Sequence, residues 1–334
     1  MTLKLIRNFI PMIFIMFLLH GCGSKTPKVG FCMDSLIPER WEKDRELFVQ
    51  NIENLGGEVL VEIANGDDVL QLEQAEKLIS EGVDVLVVIP VNQETAGHIV
   101  VAAHKAGVKV ISYDRLIRNC NLDYYVSTDN IRIGEQQADY LTRIKPKGKY
   151  VLIGGAITDN NAQLLYLGQL NILQPLITKG DIEIIFHEFT HDWQEKEGYD
   201  LMKMSLDQND NMVDAVIASN DALASGVIRA LEEKDLAGKV LVAGQDADMK
   251  AIKQIVAGTQ TMTIYKPIDA IASTAARLAM KLANGESPEI MNLTVNNGKK
   301  LVPSFLLESM VVHKDNIKMT VVSEGFLEEH DIYQ

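Results

Sequence analysis

The sequence predicts an α/β protein of two similar lobes, each a parallel sheet covered by helices on both faces and joined by a multi-strand hinge. Three observations support this: short apolar runs, helical stretches between them, and recurrence of the whole pattern in the second half. Continuously apolar runs without polar alternation are typical of strands buried on both faces. The runs are 28–32, 59–63, 83–89 and 108–113, then 150–153, 182–186, 215–218 and 240–243.

The segments between the strands have helical spacing. One example runs through Leu72, Leu78 and Ile79 and ends at Gly82, and another covers residues 222–231. Glycine just past the last turn is a usual helix stop. The alternation is therefore βαβ, with crossovers that are nearly always right-handed.

The pattern runs from about 28 to 127 and again from about 149 to 264, with a helical stretch at 131–143 between. A helix at 267–284 and short strands to about 322 follow. If these late segments complete both sheets, several crossings form a hinge. We therefore expect an N-terminal lobe of residues 28–130 plus 267–298 and a C-terminal lobe of residues 131–264 plus 299–325.

The N-terminus has the features of an export signal. Lys4 and Arg7 precede an apolar run at 9–19, which is shorter than the ~20 residues that span a bilayer. The following Gly21-Cys22 resembles the lipobox of bacterial lipoproteins. We expect a signal peptide at 1–21, lipidation of Cys22 and a tether at 22–27. The alternative is an ordinary signal peptide that contains a cysteine.

Composition excludes some partners. The formal net charge of −14 opposes binding to nucleic acid, which needs clustered Lys and Arg, and is compatible with a neutral small ligand. Cys32 and Cys120 remain after Cys22. We expect free thiols, with a disulfide as the alternative, and the sequence has no metal-ligating cysteine pair.

Polar side chains are concentrated immediately after the predicted strands, where open α/β sheets bind ligands. They are Asp34, Glu39-Arg40-Trp41, Asp114-Arg115, Asp159-Asn160-Asn161, Trp193, Asn220-Asp221, Gln245-Asp246-Ala247-Asp248 and Tyr265-Lys266-Pro267. Planar carboxylate, amide and guanidinium groups can each bond two neighbouring hydroxyls of a sugar. The two tryptophans of the chain, Trp41 and Trp193, can cover the apolar face of a sugar ring.

Each candidate has a structural alternative. Asp34, Asp159, Asn220 and Asp246 could be only helix N-caps, the tryptophans could be core residues, and Arg115 or Lys266 could form ordinary ion pairs.

A catalytic alternative comes from His187-Glu188-Phe189-Thr190-His191, which matches the His-Glu-x-x-His zinc pattern but follows a strand-like run. We expect no catalytic residue, no metal and no cofactor, because the chain has no phosphate-binding glycine loop and no Gly-x-Ser-x-Gly elbow.

Several segments together resemble the D-xylose-binding periplasmic proteins of ATP-driven (ABC) sugar importers, which have two Rossmann-like lobes of the type I periplasmic binding protein fold. They are residues 39–45, 64–66, 82–87, 113–115, 159–162, 218–221, 244–248 and 257–267. The resemblance spans essentially the whole mature chain. Residues 188–192 depart from it, because they stand where the family usually has another tryptophan, and this leaves the exact sugar open.

The resemblance implies a pentose held by Arg40, Asp114 and Arg115 on one side and by Asp159, Asn161, Asn220 and Asp246 on the other. Lys266 would reach in from a hinge crossing, and Trp41 and Trp193 would sandwich the ring. It also implies a periplasmic or cell-envelope protein that closes on its sugar and docks on the permease of an ABC importer. A membrane histidine kinase is the alternative partner.

Overall fold

The structure is a computed structural model that describes residues 25–37, 40–288 and 293–334. The expected signal peptide at 1–21, Cys22 and the first residues of the tether lie outside the described residues. Within the described ranges, no helix has the length and apolar character needed to cross a membrane.

The elements alternate as the sequence predicts. The first half of the chain forms β1 (Lys28–Met33), α1 (Arg40–Asn54), β2 (Glu58–Ile63), α2 (Asp68–Ser80), β3 (Val85–Val88), α3 (Gly97–Lys105), β4 (Lys109–Tyr113) and β5 (Tyr124–Thr128). Next come α4 (Asn130–Ile144), β6 (Gly148–Ala156), α5 (Asn160–Lys179), β7 (Ile182–Thr190), α6 (Glu195–Gln208), β8 (Ala215–Ala218), α7 (Asp221–Glu232), β9 (Leu241–Ala243), α8 (Met249–Ala257) and β10 (Met262–Tyr265). The last elements are α9 (Ile268–Ala283), β11 (Leu293–Asn296), β12 (Leu301–Leu307), β13 (Met310–His313), a 3-10 turn (Ile317–Met319) and α10 (Glu329–Ile332).

The strands form two sheets that are parallel except at one edge of each. In the described part of the chain, the N-terminal sheet has the order β11-β12-β5-β4-β3-β1-β2 and the C-terminal sheet the order β13-β10-β9-β8-β6-β7. The antiparallel pairs are β11 with β12 and β10 with β13. This arrangement confirms the predicted fold class of two parallel-sheet lobes.

Helix α9 covers the N-terminal sheet although it follows the C-terminal strands in sequence. Its buried face is rich in alanine, including Ala272, Ala275 and Ala276, and packs in one cluster with Phe31 and Phe48. The small alanine side chains let α9 pack closely on the N-terminal sheet. The chain thus returns to the first lobe at about residue 267, as expected.

The boundary expected at residue 299 is wrong. Strand β12 pairs in parallel with β5, with Ser304 opposite Tyr125, and so belongs to the N-terminal lobe. The reason is that β11 and β12 form a hairpin whose turn is held by the Asn297 side chain, which accepts the N–H groups of Lys299 and Lys300. The C-terminal lobe also extends past 325, because Ile332 packs in its last apolar cluster.

Three segments of the described chain cross between the lobes. They lie between β5 and α4, between β10 and α9, and between β12 and β13. The third crossing contacts the helix that follows the first, since Ser309 donates its hydroxyl to Oε1 of Gln136 on α4 at 2.8 Å. Three neighbouring crossings form the expected hinge, and they allow the lobes to rotate as bodies.

Candidate functional site

A cavity lies between the lobes at the carboxyl ends of both sheets, with about 320 Å³ of empty space including its open mouth. Among residues 25–37, 40–288 and 293–334, its wall is formed by Arg40, Trp41, Asp114, Arg115, Asp159, Asn161, Trp193, Asn220, Gln245, Asp246 and Lys266. The structure thus brings all ten residues expected from the sequence to one cavity and adds Gln245. Their role in ligand binding stays a prediction.

Arg40 is the centre of the N-terminal wall. It opens α1, and its guanidinium contacts Asp44 at 3.1 Å, Asp114 at 3.0 Å and Asp246 at 3.3 Å. Asp44 in turn accepts a hydrogen bond from the Tyr113 hydroxyl. Burial alone would lower the pKa of Arg40, but these carboxylates outweigh it and raise the pKa well above its usual value. Arg40 is therefore a fixed positive charge.

Asp114 follows β4 in a left-handed conformation, with φ of 59°, which turns its carboxylate into the cleft. Its carbonyl oxygen accepts bonds from the Tyr125 hydroxyl at 2.8 Å and the Ser127 hydroxyl at 2.6 Å. Burial favours a raised pKa for Asp114, but the positive charges of Lys266, Arg40 and Arg115 lower the pKa to about 2. The carboxylate therefore stays ionised at neutral pH.

Arg115 connects the two lobes. Its guanidinium contacts Asp34 at 2.6 Å in its own lobe and Asp159 at 2.8 Å in the other. The Trp41 ring lies beneath both guanidinium groups, 4.4 Å from Arg40 and 5.5 Å from Arg115. Cation–π contacts of this kind hold the indole in a defined orientation at the cavity wall.

The C-terminal wall uses helix caps. Asp159 accepts the N–H of Asn161 at 2.9 Å to cap α5, and Asn220 accepts the N–H of Leu223 at 2.9 Å to cap α7. For these two residues, capping and a place in the cavity wall occur together. Asp246 has a φ of 105° and instead contacts the Nζ of Lys266 at 2.9 Å, while Asp34 contacts Arg115.

The lobes also bond directly across the cleft. Besides the Arg40–Asp246 and Arg115–Asp159 ion pairs, Asn161 donates to the carboxylate of Asp114 at 3.1 Å. Farther out, the N–H of Gln93 donates to the carbonyl of Thr158 at 3.0 Å. The two walls therefore meet in a closed arrangement.

The charges of the cavity wall balance, and part of its polar surface is unused. Within the described ranges, the lining includes three cationic side chains and three carboxylates. Buried Nε1 atoms of Trp41 and Trp193 and the Oε1 of Gln245 have no hydrogen-bond partner among the described residues. Buried polar atoms normally have partners, so these three are available to a neutral, hydroxylated ligand.

The sequence pattern of the periplasmic binding protein domain matches residues 29–287. The chain belongs to the periplasmic binding protein family. It is 47% identical over 310 residues to the D-xylose-binding periplasmic protein of Haemophilus influenzae, covering 93% of each chain. It is 46% identical over 309 residues to the protein of the same name from Escherichia coli, covering 92% of this chain and 93% of that one.

A solved structure of a carbohydrate transporter solute binding protein from Chloroflexus aurantiacus, in complex with D-glucose, superposes on this family member with a TM-score of 0.86. That protein is 29% identical, and the match covers 92% of this chain and 98% of that one. These relatives confirm the resemblance to the D-xylose-binding proteins.

The zinc alternative finds no support in this periplasmic binding protein. His187 lies on strand β7, which ends at Thr190 just before His191, and residues four apart in an extended chain are about 13 Å distant, so the two histidines do not share a helical face. The His187 ring instead stacks on Tyr166 with ring centres 4.1 Å apart. In the part of the chain that the structure describes, no group of three or more candidate ligands surrounds a metal position.

Cys32 and Cys120, the two cysteines within the residues that the structure describes, are free and buried, as expected. Burial, with a smaller effect of Glu62, raises the pKa of Cys32 to about 12. Burial also raises the pKa of Cys120, to about 11. Both side chains are therefore protonated, unreactive thiols at neutral pH.

Three residues that matter for the site were not among those expected to bind the sugar. Gln245 lines the cavity, Asp44 holds Arg40, and Asp34 holds Arg115. Gln245 and Asp34 were recognised only as polar residues that follow strands, and Asp44 could have been found from its spacing of four residues from Arg40 on one helix. Nothing in the sequence indicates that Asp34 pairs with Arg115.

Proposed function

We propose that this protein captures a monosaccharide, D-xylose, between its two lobes. The observation that carries the proposal is the cavity itself, in which a charge-balanced ring of polar side chains and two indoles converges from both lobes. The similarity to D-xylose-binding proteins over 92–93% of the chain supports the choice of sugar. The D-glucose complex of the Chloroflexus aurantiacus relative makes a hexose the alternative ligand.

Each wall would bond a different set of sugar hydroxyls. Arg40, Asp114 and Arg115 supply the N-terminal contacts, and Asp159, Asn161, Asn220 and Asp246 supply the C-terminal ones. Lys266 contributes from the hinge crossing that it occupies. Trp41 and Trp193 cover the two apolar faces of the pyranose ring.

Closure follows from this division of contacts. A sugar that bonds both walls is bound completely only when the lobes meet, so it shifts the population toward the closed arrangement. The closed lobes then present one surface to a membrane partner. We infer that this partner is the permease of an ABC sugar importer, with a sensor histidine kinase as the alternative output.

Capture leaves the sugar chemically unchanged in this proposal. The cavity carboxylates are each engaged by cations, as Asp114 is by Arg40 and Asp159 by Arg115, so none is left as a general acid or base. Proton NMR of D-xylose incubated with the protein should show the same sugar after hours. A new sugar product would contradict this part of the proposal.

We also propose that the mature protein is held at the cell envelope by acyl chains on Cys22, since several chains on one cysteine hold a soluble domain firmly at a membrane. Expression in a bacterial host followed by detergent phase partition should place the native protein in the detergent phase and Cys22→Ser in the aqueous phase. Equal partition of the two proteins would leave only an ordinary export signal.

Calorimetric titration of the purified protein tests the ligand. We expect saturable heat with D-xylose and weaker or absent heat with D-ribose, L-arabinose, D-galactose and D-glucose. The tryptophan emission should change in the same titration, because both indoles line the cavity. Saturation by D-glucose at lower concentration than D-xylose would reassign the sugar, and no response to any of them would remove the proposal.

A further inference from the structure

The end of strand β6 has two consecutive glycines, Gly154 and Gly155, in tight contact with aromatic rings. A β-carbon placed on Gly155 would lie well under 3.0 Å from the Cη2, Cζ3 and Cζ2 atoms of Trp193, at nearly equal distances. An approach to the ring edge would leave the two outer atoms clearly farther away than the middle one. The six-membered ring of Trp193 therefore lies with one face on the backbone of Gly155.

Room for the ring, rather than backbone freedom, is what requires a glycine at this position. Gly155 is not among the residues with positive φ. Carbon atoms pack at about 3.5–4.0 Å, so any β-carbon at residue 155 would displace the indole by roughly 1 Å or more.

The backbone of Trp193 is held by hydrogen bonds on both sides. A β-carbon at residue 155 would therefore displace the ring rather than the backbone of Trp193. Its N–H donates to Asp192 at 2.7 Å, and its carbonyl accepts from the Nδ2 of Asn220 at 3.4 Å. Trp193 is buried, with 7% of the residue exposed, and lines the cavity. Because Gly155 takes one face, the opposite face is the one left for a ligand.

We propose that Gly155 is a positioning residue, which sets the plane of the Trp193 ring and through it the width of the sugar chamber. This inference rests on the proposed function for its effect on affinity. The claim that Gly155 positions the ring depends only on the contact between Gly155 and Trp193.

Gly155→Ala tests the proposal, with Gly154→Ala as the matched control. The Gly154 β-carbon would point to the other face of the strand and meet Phe189, also at under 3.0 Å. Both variants should therefore lose stability in thermal unfolding. We expect Gly155→Ala to weaken D-xylose binding by about two- to tenfold, the scale of a lost aromatic stack. Gly154→Ala should bind as the wild type does.

A double-mutant cycle separates a displaced ring from a distorted strand. Phenylalanine at 193 lacks the ring atoms that meet Gly155, so in a Trp193→Phe background Gly155→Ala should cost little further affinity. An undiminished penalty in that background, or a penalty in Gly154→Ala as large as that in Gly155→Ala, would overturn the proposal.

A measurement without sugar tests whether Gly155 positions the Trp193 ring. In a Trp41→Phe background, Trp193 is the one tryptophan of the chain. Its emission maximum should shift on Gly155→Ala and stay unchanged on Gly154→Ala. No shift would overturn the proposal even if the wild type binds D-xylose. If the wild type binds no sugar, the proposed function fails. The emission maximum of Trp193 then decides by itself whether Gly155 positions the ring.

Discussion

The two walls of the cleft hold their polar side chains in different ways. In the N-terminal wall, charges hold one another: Arg40 lies among three carboxylates, and Arg115 lies between Asp34 and Asp159. In the C-terminal wall, Asp159 and Asn220 are held as helix caps. A polar side chain at a strand end can therefore be held by ion pairs or by backbone hydrogen bonds. Mutations in the two walls should differ in how much stability and sugar affinity they remove.

Arg40→Met should have the largest effect. It leaves Asp44, Asp114 and Asp246 buried without their shared cation, and breaking a buried pair costs about 3–5 kcal/mol. We expect loss of sugar binding and a fall in the free energy of urea unfolding of that size. Arg45→Met is the control on the same helix, because the Arg45–Glu42 pair is partly exposed and should be worth less than about 1 kcal/mol. Equal effects of the two variants would contradict the ion-pair account.

Asp114→Asn should come next, with a dependence on pH. The folded-state pKa of Asp114, about 2, lies below the value of an unfolded aspartate. The charge therefore stabilises the fold above about pH 4, by roughly 2–3 kcal/mol, and this contribution is lost as the pH falls toward 2.

The measurement is the difference in unfolding free energy between wild type and Asp114→Asn, which should be largest at neutral pH and shrink on acidification. Asp207→Asn on the exposed face of α6 should show little difference at any pH. A difference between wild type and Asp114→Asn that does not vary with pH would remove the electrostatic explanation of the N-terminal wall.

Asn220→Ala should have the smallest effect on stability. It removes the α7 cap, which costs about 1 kcal/mol, and one cavity side chain. Asp67→Ala removes the α2 cap, where the side chain accepts the N–H groups of Val69 and Leu70, far from the cavity in sequence and outside its lining. Both variants should unfold at similarly reduced urea concentrations, but only Asn220→Ala should lose affinity for D-xylose. Unchanged affinity would reduce Asn220 to a cap alone.

Most of the candidate site could be predicted because it depends on local signals. The end of a buried apolar run locates the carboxyl edge of a strand, and in parallel sheets these edges meet, so Asp114, Asn220 and Asp246 could be assigned to one place. The pairing of Arg115 with Asp34 could not be predicted, since the two residues are 81 positions apart and meet only across the sheet.

The sequence alone determined the alternation of strands and helices, the two-lobed plan and the edge that carries the polar residues, because periodicity and strand ends are properties of neighbouring residues. Tertiary structure decided that β12 joins the N-terminal sheet, that Arg40 and Arg115 bond across the cleft, and that the Trp193 ring packs on Gly155. These features depend on distances between segments remote in the chain. Only the packed fold sets such distances.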